Sequence, residues 1–165
     1  MAGLAFAVAV TVGACTDGRN AATPGFQSAT ATSTTTAATR PSASGTAEQL
    51  KIRMPTITSV VAITEDNDPN NLIGRPNGYL DAAVVFDSTT TCADLGSDCG
   101  AMIEIWPTAE AAQQRATYIA TLQQASPILG SEYHHLRGPV HLRVTGAIKP
   151  SANAAYSTAF NETGA

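Results

Sequence analysis

An α+β domain is the fold this sequence predicts: an antiparallel sheet of four to five strands with helices packed on one face, in the rough order (α)β-ββα-ββα. Three observations carry it. Short apolar runs bounded by Gly, Pro, Asn and Asp recur through the second half of the chain. Two of those runs are joined by Gly138-Pro139, which invites a tight hairpin. Two longer segments show helical spacing, and each begins at a proline or at a capping threonine next to one.

The elements follow in order. Ala47 to Arg53 reads as a short helix ended before Pro55, and the β-branched run Ile57 to Thr64 reads as a strand. Its apolar positions also fit one side of a helix, so that assignment stays open. Glu65 to Gly78 is polar and holds Asp-Pro, Arg-Pro and Asn-Gly steps, which is turn chemistry. Leu80 to Asp87 and Ala101 to Trp106 read as antiparallel partners, with Ile103 and Ile105 on one side and Met102, Glu104 and Trp106 on the other. Thr108 caps a helix running to about Gln124, whose Ala112, Ala116, Ile119 and Leu122 or Gln123 meet the sheet. Glu132 to Arg137 and Val140 to Gly146 form the second hairpin. There Val140, Leu142 and Val144 belong inside, leaving His141, Arg143 and Thr145 on the outer face. Pro150 opens a last helix with Ala152, Ala155, Tyr156, Ala159 and Phe160 on one side.

The 165 residues suffice for one such domain, assigned to 47–165, plus extensions. Residues 48–165 carry seven Lys/Arg against twelve Asp/Glu, so no basic stripe exists to neutralise phosphates and a nucleic-acid partner is not expected. Residues 15–46 are dominated by Ala, Thr, Ser, Gly and Pro, with Phe26 the one large apolar side chain. Such a stretch buries too little to offset its ordering entropy and reads as a disordered tether. As a flexible coil it would span roughly 30 Å.

Leu4 to Val12 is an apolar run interrupted only by Thr11, followed by Gly13, Ala14 and Cys15. It is far shorter than the ~20 residues a membrane-spanning helix needs and reads as the core of a signal peptide over residues 1–14. The expected basic residues before the run are missing. Val12-Gly13-Ala14-Cys15 resembles the lipobox of bacterial lipoproteins. That resemblance implies removal of residues 1–14, lipidation of Cys15 with acyl chains such as palmitate, and a cell-membrane anchor facing outside the cytoplasm. At about 0.8 kcal/mol per buried CH2, several chains would hold the domain at a bilayer. An ordinary secretory signal also fits, because Val12 and Ala14 suit general signal peptidase. Cys92 and Cys99 lie in a Gly/Asp/Ser loop and read as a disulfide, which is stable only outside the reducing cytoplasm. Their spacing is not that of a zinc knuckle.

The segments DPNNLIGRPNGY (68–79), IEIWPTAEAAQQRATYI (103–119) and LRGPVHLRVTG (136–146) together resemble a family of small, uncharacterised actinobacterial lipoproteins. The resemblance implies a membrane-tethered extracytoplasmic domain and supplies no catalytic residue.

The candidate sites are few. Asp66, Asp68 and Asn70 stand at the first odd positions of a calcium loop, but Asn71 replaces its turn glycine and Asn77 its bidentate glutamate. With Arg75 and Tyr79 these residues form a candidate binding loop, in which Arg75 is expected to clamp Asp68 or Asp66. His134 and His141 share the outer face of the second hairpin on a diagonal, weak candidates for a metal without an evident third ligand, while His135 points inward. No GxSxG, HExxH, SxxK or phosphate loop occurs, so no catalytic residue, metal or cofactor is assigned. The sequence therefore favours a non-catalytic envelope module binding a protein, peptide or glycan. A small hydrolase or metal-dependent enzyme using the hairpin histidines, and a secreted inhibitor, are the alternatives.

Overall fold

Ser42 sets the start of the first element, because its hydroxyl accepts the Gly45 N–H at 2.9 Å and caps the helix that follows. In the computed structural model, which describes residues 40–164, that helix is α1 (Ala43–Arg53). It begins four residues before the expected Ala47, inside the segment assigned to the tether. The physical reason lies far along the chain: the Ala43 N–H donates to the Asp81 carboxylate at 2.8 Å, and Ala43 is fully buried. A carboxylate at a helix N-terminus also satisfies the helix dipole. Cys15, the apolar run and the tether up to residue 39 lie outside the described residues.

The strands are β1 (Ile57–Ala62), β2 (Asp81–Asp87), β3 (Gly100–Ile105), β4 (Glu132–Arg137) and β5 (Val140–Thr145), with α2 (Ala109–Ala125) before β4 and α3 (Pro150–Glu162) after β5. They form one sheet in the order β1-β2-β3-β5-β4, and every neighbouring pair is antiparallel. The α+β class and the order of elements are those the sequence predicts. Residues 57–62 are strand and not helix. β1 stops short of the expected Thr64 because the chain turns there, with the Thr64 N–H donating to Asn67 Oδ1 at 2.7 Å. Arg137 pairs with Val140, leaving Gly138-Pro139 as the two-residue hairpin turn, and Gly138 takes φ +55°, which favours glycine.

The helices divide between the two faces. α1 and α3 lie on the face formed by Ala83, Val85, Ile103, Ile105, Leu142 and Val144, and bring Leu50, Tyr156 and Phe160 into it. Each such large side chain contributes about 1.5–3 kcal/mol by burial. α2 lies on the other face, with Ala112 packed among Ala82, Val84, Met102 and Trp106. Every residue of β3 and of β5 is buried, so both faces need cover. His141, Arg143 and Thr145, which alternation placed on the outer face, are therefore buried beneath that second layer. On α3 the buried positions are Tyr156, Ala159 and Phe160, while Ala155 faces solvent.

Cys92 and Cys99 are joined, with their Cα atoms 4.4 Å apart. The loop they close leads into β3 through Gly100, whose φ of +145° and whose approach to Asp87 leave no room for a side chain: a Cβ would sit 2.7 Å from the Asp87 Cβ. Asp87 itself gathers Tyr156 from α3, Thr56 before β1 and Thr89 after β2, each within 2.9 Å of its carboxylate. Among the described residues, no helix is long and apolar enough to cross a membrane.

Candidate functional site

The polar loop between β1 and β2 is organised by one carboxylate. Asp68 accepts the backbone N–H groups of Asn70 at 2.9 Å, Leu72 at 2.6 Å and Ile73 at 2.8 Å, and also takes the Tyr79 hydroxyl. Burial alone would raise the Asp68 pKa, but these four donors hold it below the ordinary carboxylate value. For Tyr79 burial comes first and the Asp68 bond second, and both push its pKa up. Asn71 and Asn77 take the left-handed conformation, with φ of 52° and 62°, as Asn can where most residues cannot.

The candidate binding loop thus splits. Asp68, Asn70 and Tyr79 converge, whereas Asp66 is exposed and apart from them. Arg75 does not clamp either aspartate. Its Nε and Nη2 donate to Asn71 Oδ1 at 3.1 and 2.7 Å, on the solvent side of the loop. Four residues separate that pair, a shorter reach than the turn back to Asp68. The loop's one inward polar link runs through Asn70, which accepts Arg115 Nη2 of α2 at 2.9 Å.

Arg115 leads to a cluster that sequence reading did not assemble. The register sets Met102 against Arg143 and Glu104 against His141, while His134 lies opposite Arg143. Side chains from β3, β5 and β4 therefore meet on the face beneath α2. Glu104 is fully buried and accepts from Arg143 Nη1 at 2.8 Å, from the Trp106 indole N–H at 2.9 Å and from His141 Nδ1 at 3.3 Å. Arg115 Nε stands 3.8 Å from it. Arg143 also forks onto Glu132 at 2.8 and 2.7 Å, and Ser97, from the disulfide loop, donates to the same carboxylate at 2.9 Å. Burial would raise the Glu104 pKa, but the His141 bond and the Arg143 and Arg115 charges outweigh it and hold Glu104 at about 2. Glu132 is lowered against its own burial by Arg143. Arg143, despite burial, is raised by Glu132 and Glu104. Two carboxylates and two guanidiniums balance.

The histidines continue this chain. His134 Nδ1 and His141 Nε2 are 3.0 Å apart, on the diagonal the hairpin register predicts. A neutral His141 donates from Nδ1 to Glu104, which only accepts; its Nε2 then accepts, and the His134 proton sits on Nδ1. His134 Nε2 is then a bare acceptor, buried and without a partner among the described residues. Burial first, and the neighbouring His141 second, lower the His134 pKa to about 4. Among the described residues, no three His, Cys, Asp or Glu side chains gather as a metal site. His135 faces the α3 side and bonds Asn153 at 2.8 Å.

A cleft of about 470 Å3 opens between the polar loop and α2. Leu72, Trp106, Pro107 and Tyr118 wall it, Gln114 and Thr108 supply polar groups, and Arg115 is its one charged lining residue among those described. Its volume falls in the range of small-molecule sites. Trp106 stands edge-on to Tyr79, with ring centres 5.8 Å apart, so the wall is braced from behind by the Asp68 loop.

Glu104, Glu132, Arg143 and Arg115 were absent from the sequence-based candidates, although one signal was available. A charged residue in the middle of the apolar run AMIEIW, opposite alternating His141 and Arg143, marks a buried ion pair once both hairpins share a sheet. Compared with models of protein families, with curated proteins and with solved structures, the chain matches none.

Proposed function

We propose that the chain is a lipoprotein tethered through Cys15 outside the cytoplasm, and that its domain is a non-catalytic module binding an envelope ligand in the cleft between the Asp68 loop and α2. The observation that carries the binding reading is the cleft itself: an apolar wall with one cation, Arg115, held in place by Asn70. The ionisable groups behind it are already spent on one another, which suits holding a ligand better than turning one over. The anchor rests on the sequence around Cys15 and agrees with the Cys92–Cys99 bond.

The hydrolase reading has one feature in its favour, the Glu104–His141–His134 chain, which could relay a proton. A base with a pKa of about 4 is poorly matched to neutral pH, and among the described residues no hydroxyl or thiol bonds His134 Nε2.

Two measurements test the proposal in the native bacterium. Labelled palmitate should enter the protein, and Cys15→Ser should abolish labelling and release the chain from membranes. A photo-crosslinking residue at Gln114, in the cleft, should capture an envelope component that the same group at Asn161 on α3 does not. Unlabelled protein refutes the anchor, and equal capture at both positions, or none at either, refutes the cleft as the binding surface.

A further inference from the structure

Resting on the cleft as the binding surface, we infer that it takes a carboxylate carried on a compact apolar or aromatic body, with Arg115 as the receptor for the anion. Arg115 is the starting point. A guanidinium has five N–H donors in a planar fork that matches a carboxylate. Among the described residues Arg115 gives one hydrogen bond, from Nη2 to Asn70; its Nε is buried toward Glu104, so the donors left for a ligand are those of Nη1 and the second N–H of Nη2. Glu104 does not take the fork in a hydrogen bond, because Arg115 Nε stands 3.8 Å from the Oε1 that accepts Arg143, while Oε2 takes Trp106 and His141.

The cation is nevertheless fixed. Its side chain is only 13% exposed, it lies over the Glu104 charge, and its Asn70 partner is tied through its own N–H to Asp68. A receptor already ordered before binding loses little entropy when it takes a ligand. It opens onto the cleft, and among the described residues no acidic side chain lines that cleft to compete for it. α2 begins at the same place, with Thr108 both its cap and a lining residue, so the positive end of a 17-residue helix adds to the Arg115 field. The apolar side of the ligand follows from the walls: the buried Trp106 with the exposed Pro107 and Tyr118.

Trp106 is the only tryptophan in the chain and lines the cleft, so its fluorescence reports occupancy in the intact protein. Phenylacetate, phenylacetamide and acetate separate charge from apolar contact. Phenylacetate should change the emission saturably, with Kd of about 1–10 mM for a fragment of about ten heavy atoms. Phenylacetamide should bind at least about tenfold more weakly, the scale of one charge-assisted pair, and acetate alone should give no saturable change. Arg115→Gln should remove the preference for acid over amide, Arg115→Lys should restore part of it, and Tyr118→Ala should weaken both aromatic probes alike. Circular dichroism melts establish that each variant is folded; if Arg115→Gln is not, Arg115→Lys and Tyr118→Ala decide. Equal affinity for acid and amide overturns the inference, as does the absence of saturable phenylacetate binding. If phenylacetate fails while Gln114 still crosslinks an envelope component, the ligand class falls and the binding surface stands.

Discussion

Glu104→Gln puts the buried ion network to its severest test, since it removes one charge and almost no volume. Glu104 has no exposed surface, and a carboxamide in its place turns an NH2 toward either Arg143 Nη1 or the Trp106 indole, donor against donor. The four-charge balance becomes one net positive charge under α2. Two routes give the cost. Breaking a buried pair loses about 3–5 kcal/mol, and Arg143 keeps its fork on Glu132, which selects the lower end. A Glu104 pKa of about 2 in place of 4.5 corresponds to about 3 kcal/mol of stability at neutral pH.

The sign also follows. The folded pKa lies below the unfolded one, so the contribution is complete above about pH 4.5 and is lost as pH falls toward 2. Urea unfolding followed by circular dichroism should show the midpoint of Glu104→Gln about 1.5–2 M lower at pH 7, for a slope of about 1.5–2 kcal/mol per M. The gap to the parent protein should close as the pH approaches 2. Glu48→Gln, on the exposed side of α1, is the control and should leave the midpoint nearly unchanged. A loss under about 1 kcal/mol at pH 7, or a gap independent of pH, refutes the assignment of Glu104 as a buried, ionised hub.

His134 should give the protein a second acid-sensitive window above the first. Its folded pKa of about 4 lies below the ordinary 6.5, so the unfolded chain takes up the proton first and stability falls between pH 6.5 and 4. Full burial would make that loss about 3 kcal/mol; part of the ring is exposed, which reduces it to about 1–2 kcal/mol, and His134→Gln should flatten the urea midpoint across that window. Asp68→Asn keeps the shape of the loop hub but weakens four hydrogen bonds, at a cost of about 1–3 kcal/mol. Amide exchange should accelerate at Leu72 and Ile73 while the β3 amides stay protected, and uniform acceleration would show that the loop does not open on its own.

Period-two patterning fixed which strands exist, and the Gly138-Pro139 turn fixed the register that brings His134 to His141. Both are local signals, readable within a dozen residues. What escaped was non-local. The start of α1 depends on Asp81, 38 residues away from Ala43, so composition alone began the domain too late at its N-terminal side. His141 and Arg143 read as solvent-facing because a two-sided sheet cannot be told from a one-sided one by alternation when the second side is polar. Arg75 misled for a related reason: a charged residue near two aspartates has several acceptors within reach, and Asn71, four residues back, takes its Nε and Nη2.

The second face also explains why the cleft and the network belong together. α2 brings only Ala112, Ala116 and Ile119 to the sheet, against Leu50, Tyr156 and Phe160 from the helices opposite. Two alanines and one isoleucine bury little apolar area, so hydrophobic contact holds α2 more weakly than it holds α1 and α3. Arg115 supplies the missing attachment, reaching down to Glu104 and sideways to Asn70. The same side chain that pins α2 over the buried carboxylate also lines the cleft between α2 and the Asp68 loop. On the proposed binding reading, occupancy of the cleft and docking of α2 are therefore coupled through one guanidinium. A ligand that grips Arg115 must stabilise the α2 face against opening, and loosening Glu104 or Asp68 must weaken the ligand as well as the fold.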